Sequence, residues 1–148
     1  MIVENHKITF RNVASKLYNF VPAEIDLALK DFDTILNSHG YHGTGSIFFS
    51  MLSDPTGEVM TAQLFLPIQE NHFTISKEEG IEFSSYFHVN QLLMTRIKGN
   101  FEEESQVKYW ELSQYMGKKE MIQKTPVFVE YKKSHAGDTY VEMSVGVL

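Results

Sequence analysis

The feature that most constrains this chain is an echo. The closing stretch PVFVEYKKSHAGDTYVEMSVGVL, from Pro126, repeats the pattern of SIFFSMLSDPTGEVMTAQLFLPI, from Ser46. Each is an apolar run, a polar turn ending in Gly, then a second alternating run. Phe128 falls on Phe48 and Gly137 on Gly57, at an offset of 80. At the same offset Phe32, Ile35 and Leu36 fall on Leu112, Tyr115 and Met116, and Ser15-Lys16-Leu17 falls on Thr95-Arg96-Ile97. Repetition at a fixed period is the mark of a structural unit used more than once. The chain therefore reads as two copies of one unit, residues 1–68 and 81–148, joined by a polar linker, 69–80. Both copies share a single domain spanning 1–148.

Within each copy the pattern spells β-α-β-β. Lys7 to Phe20 is rich in strand formers. Pro22 suits a first helical turn, Ile25, Leu29, Phe32 and Leu36 form a helical stripe, and Gly40 can close the helix with positive φ. Ile47–Leu52 and Val59–Leu66 alternate around Pro55-Thr56-Gly57, and Pro67 ends the pairing. In the second copy, Phe83–Val89 and Leu92–Ile97 are strand segments divided by a bend near Asn90. Asn100 with Glu103 caps a helix whose apolar face is Phe101, Tyr109, Leu112 and Met116, and Gly117 is its stop signal. Pro126–Tyr131 and Thr139–Val147 close on His135-Ala136-Gly137. The expected class is α+β, a pseudo-twofold, mostly antiparallel sheet with a helix packed on each half.

Bulk properties narrow the function. An apolar fraction of 43% and an aromatic fraction of 13% supply a packed interior. With no Cys, disulfide scaffolds, thiolate metal sites and Cys nucleophiles are excluded. The opening MIVENHKITF lacks the basic-then-apolar order of a signal peptide, and no apolar run suits a membrane helix, so a cytoplasmic protein is expected. A net charge of −6 argues against nucleic acid, and the Lys118, Lys119, Lys124, Lys132 and Lys133 group reads as solvated turns. His39-Gly-Tyr-His42 lacks further ligands nearby and reads as a helix exit turn. No metal and no cofactor is expected.

Strand alternation assigns faces. Ile47, Phe49, Met51, Val127, Val129 and Tyr131 should meet the helices. The other face carries Phe48, Ser50, Leu52, Phe128, Glu130, Lys132, Tyr140, Glu142 and Ser144. A three-residue loop sets Ser134 against Asp138 and hence Glu130 against Glu142. Two facing carboxylates repel unless one is protonated or a cation lies close. Two readings follow: a wet face neutralised by Lys132 and solvent, or a site for a flat, apolar, cationic ligand among Phe48, Phe128 and Tyr140. Trp110, off the helix's core stripe, packs on a neighbouring loop or meets a ligand or partner.

The two-copy layout, with Gly43-Thr-Gly-Ser-Ile-Phe-Phe, Ala62-Gln-Leu-Phe-Leu-Pro-Ile, Gly99-Asn-Phe before an acidic helix, and the closing Val141-Glu-Met-Ser-Val-Gly-Val, resembles the gyrase-inhibitor-like, or effector-binding, superfamily. That resemblance implies a groove between halves that binds varied, often cationic molecules, with a central Glu in a Glu-x-aromatic pattern. Glu130 matches, but Lys132 stands in the aromatic's place and shares Glu130's face. No DNA-binding segment precedes the domain, so a free-standing bacterial module is expected.

The expected function is binding of a small amphipathic molecule, with Glu130, Glu142, Phe48, Phe128, Tyr140 and Trp110 as the site. The alternative is a protein-interaction module, whether adaptor, inhibitor, antitoxin or secretion accessory, using the same groove or the Trp110 face. Some relatives are thought to hydrolyse drugs with an acid and an aromatic helper. No Ser-His-Asp or paired-His signature accompanies Glu130 and Tyr140 here, so no catalytic residue is assigned.

Overall fold

The computed structural model describes residues 1–54, 57–75 and 77–148. The first strand, β1 (Ile2–Phe20), is longer than expected, because the N-terminal residues also pair. A 3-10 turn at Pro22–Glu24 leads into α1 (Ile25–Ser38), followed by β2 (Phe48–Met51) and β3 (Met60–Pro67). The second half repeats the order with β4 (Ile81–Ile97), α2 (Phe101–Lys118), β5 (Gln123–Lys133) and β6 (Thr139–Val147). Of the Pro55-Thr56-Gly57 turn, Pro55 and Thr56 lie outside the described residues.

All strand pairs are antiparallel, and they form a closed barrel in the order β1-β3-β2-β5-β6-β4. A groove between the two halves was expected; closure of the strands into a barrel is the difference. It follows from the length of β1, whose Val13–Phe20 stretch pairs with β3 while Ile2–Lys16 pairs with β4. One strand thus belongs to both halves, and full closure removes the free edges of the sheet.

The outer face of the barrel carries the larger core. Phe49, Met51, Val127 and Val129 are buried there with Phe32 and Leu36 of α1 and Leu112 of α2, and Ile47 and Tyr131 pack against them, as alternation predicts. Part of the linker packs down: Phe73 stacks on Phe83 at 5.5 Å, and the Thr74 N–H donates to the Tyr41 hydroxyl at 2.8 Å.

Both helices end alike, with one surprise. Gly40 has φ +83°, and the Tyr41 N–H donates to the Leu36 carbonyl. In α2 the left-handed residue is Glu120 (φ 57°), and the Met121 N–H donates to Met116 O. This six-residue closure is the Schellman geometry. Gly117 lies inside α2 and stops nothing, which corrects the sequence reading. The α2 start is as expected: Asn100 Oδ1 accepts the N–H of Glu102 and Glu103. The box is not reciprocal, because Glu104 rather than Glu103 reaches back, to the Gly99 N–H at 3.1 Å. The bend near Asn90 falls on Gln91, whose φ of 55° matches the 54° of Asn12 in β1.

Candidate ligand-binding site

The inner face of the barrel holds a second apolar cluster of Ile8, Val13, Phe48, Phe65, Leu92 and Phe128, with Phe10, Phe87 and Val89 against it. Phe48 is central: its ring lies 4.9 Å from Phe65, 5.1 Å from Phe10 and 5.4 Å from Phe87. The face meant to await a ligand is therefore largely filled by its own phenylalanines. Phe48 and Phe128 are 2% and 5% exposed.

Polar groups sit at both ends of this aromatic belt. At one end, buried Ser50 and Ser15 lie with Gln63, whose amide donates to Ser15 Oγ at 3.1 Å. At the other, Glu130 of β5 pairs directly with Glu142 of β6, and Lys132 with Tyr140. The hairpin loop behind this register is the expected one, with Gly137 at φ +91° and Ser134 N–H donating to Asp138 O. Both carboxylates are buried, at 5% and 4% exposure.

Three basic side chains resolve the repulsion. His6 Nε2 stands 3.3 Å from Glu130 Oε1 and 3.9 Å from Glu142 Oε1. Lys132 Nζ stands 3.3 Å from Glu130 Oε2 and 3.9 Å from Glu142 Oε1. Arg96 of β4 pairs with Glu142 in the ladder, and its Nε donates to Glu142 Oε2 at 2.9 Å. Its guanidinium lies over the Tyr140 ring at 5.7 Å. The hydrogen bond to Glu142 pushes the Arg96 pKa further up, so this charge is permanent.

His6, Glu130 and Glu142 also present one ligand atom each within 4.8 Å of one another, the donor set a divalent cation would use. Arg96 and Lys132 already balance the two carboxylates, so a divalent ion would add two uncompensated charges to a neutral, buried group. Ser144 Oγ, on the same face one pleat beyond Glu142, has no hydrogen-bond partner among the described residues.

Two hollows flank the acid pair. One of about 230 Å³ is lined by Phe10, Ser46, Phe48, Glu130, Lys132 and Lys133 among others. Another of about 590 Å³ is lined by Arg96, Lys98, Ser134, Asp138, Thr139 and Tyr140.

The structure thus brings Glu130, Glu142, Phe48, Phe128 and Tyr140 to one face. Trp110 is not among them: it is 61% exposed on α2, which covers the outer side. His39 and His42 do not share a site either, since His39 Nδ1 bonds Ile35 O and His42 Nδ1 pairs with Glu70. His6, Arg96, Phe10, Phe65 and Phe87 escaped the sequence reading. The alternation of Leu92, Met94 and Arg96 carried a signal, but their partner strand was not fixed.

The family model described as "Domain of unknown function (DUF5085)" matches residues 9–148. No curated protein matches the sequence. Among solved structures, the chain is similar to EcmrR in its complex with DNA (TM-score 0.77, 13% identity, 99% of this chain and 57% of EcmrR). It is also similar to the isolated EcmrR C-terminal domain (TM-score 0.72, 12% identity, 100% and 97%). A hydrolase from Listeria innocua superimposes at TM-score 0.61, with 11% identity over 98% and 92% of the two chains. The chain therefore spans just over half of the full EcmrR chain and nearly all of its C-terminal domain. These likenesses establish the fold, an effector-binding-like one. No helix is long and apolar enough to cross a membrane among the described residues.

Proposed function

The chain belongs to the DUF5085 family, a domain of unknown function, and from that premise we propose that it is a binding module for a small amphipathic molecule with a cationic head, akin to gyrase-inhibitor-like effector domains. One observation carries the reading: the buried, directly paired Glu130 and Glu142 beside the Phe10 and Phe48 rings at one end of the inner face. Buried carboxylates are costly unless paired. Two of them facing each other across a ladder make a place that holds cations, filled in this structure by Arg96 and Lys132, and the adjoining rings suit an apolar body. The neutral Ser50–Gln63–Ser15 end gives the face a polarity that would orient such a molecule.

The likeness to the EcmrR C-terminal domain supports this use of the fold, as does a duplicated unit. Gly40 and Glu120 end the two helices at an offset of 80 (120 − 40), and Asn12 and Gln91 kink the long strands at 79 (91 − 12). A cytoplasmic setting goes with the proposal.

A thermal-shift series with lipophilic cations tests it. Stabilisation that disappears in Glu130→Gln is the expected result. No stabilisation by any cation, with a protein that co-purifies instead, would favour the second reading, a protein-interaction module. That reading draws on exposed Val107 and Trp110, one turn apart on α2. A hydrolase role draws less support, because both Glu130 oxygens are already engaged by His6 and Lys132 and neither is free to activate water.

A further inference from the structure

We infer that Lys132 is a tethered stand-in for the ligand's cationic head, and that its displacement sets the charge class the site accepts. The inference rests on the ligand-binding reading above. Of the lysine and the arginine on the acid pair, Arg96 is held twice, by its 2.9 Å bond to Glu142 and by the Tyr140 ring beneath it. Lys132 has only two longer contacts, at 3.3 and 3.9 Å; both side chains reach the surface, Lys132 at 37% and Arg96 at 48% exposed, so it is the contacts that set them apart. A partly exposed lysine can swing its ammonium back into water, and an incoming cation then takes over the pairing that Glu130 would otherwise lose. Arg96 cannot leave without breaking a short bond and unstacking a ring.

Displacement has a steric consequence as well. Lys132 lines the hollow of about 230 Å³ that Phe10 and Phe48 also wall. That is below the roughly 300 Å³ at which ordinary small-molecule sites begin. When the Lys132 stem withdraws, the hollow widens beside the two rings, and the carboxylates lack one positive charge. The occupant that fits is a monocation on a flat apolar body, its head against Glu130 and its body on Phe10 and Phe48. A dication would overcharge a group from which only one charge has gone, and a neutral isostere would leave buried Glu130 with its His6 contact but no permanent counter-charge.

A site closed by its own side chain binds with an apparent affinity reduced by the fraction of time it is open. If Lys132 is withdrawn about a tenth of the time, removing it tightens binding roughly tenfold. Rhodamine 6G, a flat monocation, serves as probe in fluorescence anisotropy with the wild-type chain, Lys132→Met, Lys132→Gln, Lys132→Arg and Glu130→Gln. Lys132→Met and Lys132→Gln should bind about tenfold tighter, Lys132→Arg no tighter than wild type, and Glu130→Gln should abolish binding. Equal or weaker binding by both Lys132→Met and Lys132→Gln, with Glu130→Gln still abolishing it, overturns the stand-in while the ligand-binding reading survives. No binding by any variant, Lys132→Met included, removes both. Urea midpoints for each variant separate a folding defect from a binding one.

Discussion

Phe48→Ala decides whether the inner face is a packed core or a wet groove. Phe48 is 2% exposed and its ring contacts those of Phe10, Phe65 and Phe87 at 4.9–5.4 Å. Burying a Phe removes about 200 Å² from water, about 5 kcal/mol at roughly 25 cal/mol per Å². That figure is an upper bound, since the unfolded chain is partly collapsed, and Ala keeps about 1 kcal/mol of it. Lost ring–ring contacts, about 0.5–1.5 kcal/mol each, act in the other direction. The expected cost is about 4 kcal/mol, within the roughly 3–5 seen when Phe is truncated in a core. For a domain of this size that lowers Tm by about 10–15 °C. Urea unfolding followed by circular dichroism is the assay, with the m-value checked for constancy. Val107→Ala, at a residue 54% exposed on α2, is the control and should stay within about 0.5 kcal/mol. A Phe48→Ala cost below about 1 kcal/mol would refute the packed inner face and favour a groove there.

Other perturbations probe the frame around the site. Asn100→Ala removes the side-chain cap of α2 and should cost about 1 kcal/mol by urea midpoint. Gln91→Gly relieves a left-handed residue and should raise Tm, whereas Gly40→Ala, at φ +83°, should lower it. Burial, with the Asp26 charge second, pushes the Tyr131 phenol up to about 12. A raised phenol stabilises the fold below its unfolded value near 10 and loses that contribution as pH rises through about 12, and Tyr131→Phe should flatten this alkaline loss. Hydrogen bonds from His42 hold the Glu70 carboxyl below its usual range. That contribution is present above the ordinary carboxylate pKa and lost as pH falls through the lowered one, so Glu70→Gln should remove part of the acid-side slope in Tm.

Much of this arrangement could be read from residue order, and the parts that could not share one cause. Side-chain alternation is local, so the faces of β2, β5 and β6 followed from Ile47 to Met51 and from Val127 to Ser144, although Leu52, expected on the inner face, lies past β2 and is exposed. A three-residue loop fixes register, so Glu130 opposite Glu142 followed from counting. His6 and Arg96 were hidden because their partners are distant in sequence and the path between is irregular. In β1, positive φ at Asn5 and Asn12 and register shifts between Val3 and Ile8 break the alternation that would have placed His6 on the inner face. Arg96 meets Glu142 only through the β4–β6 ladder, which no loop connects. Closure of the barrel was invisible for the same reason, since the β1–β4 ladder joins residues as far apart as Ile2 and Thr95. The α2 terminus was misplaced because Glu120 takes the left-handed conformation that Gly117 advertised.

The irregularities that hid these residues also build the site. A regular β1 would keep one parity from Ile8 to Ser15, yet Ile8 and Val13 both belong to the inner cluster while Ala14 belongs to the outer core. The positive φ at Asn12 accommodates that change of face, and Gln91 does the same between Val89 and Leu93. The upper part of β1 can then send His6 and Phe10 inward while its lower part sends Ala14 out to the helices. Replacing both kinks by residues that resist positive φ, as in Asn12→Val with Gln91→Val, should therefore damage the acid end as well as stability. The expected sign is loss of rhodamine 6G binding in a variant that still folds. A variant that folds and binds like wild type would show that the strand kinks do not position the site.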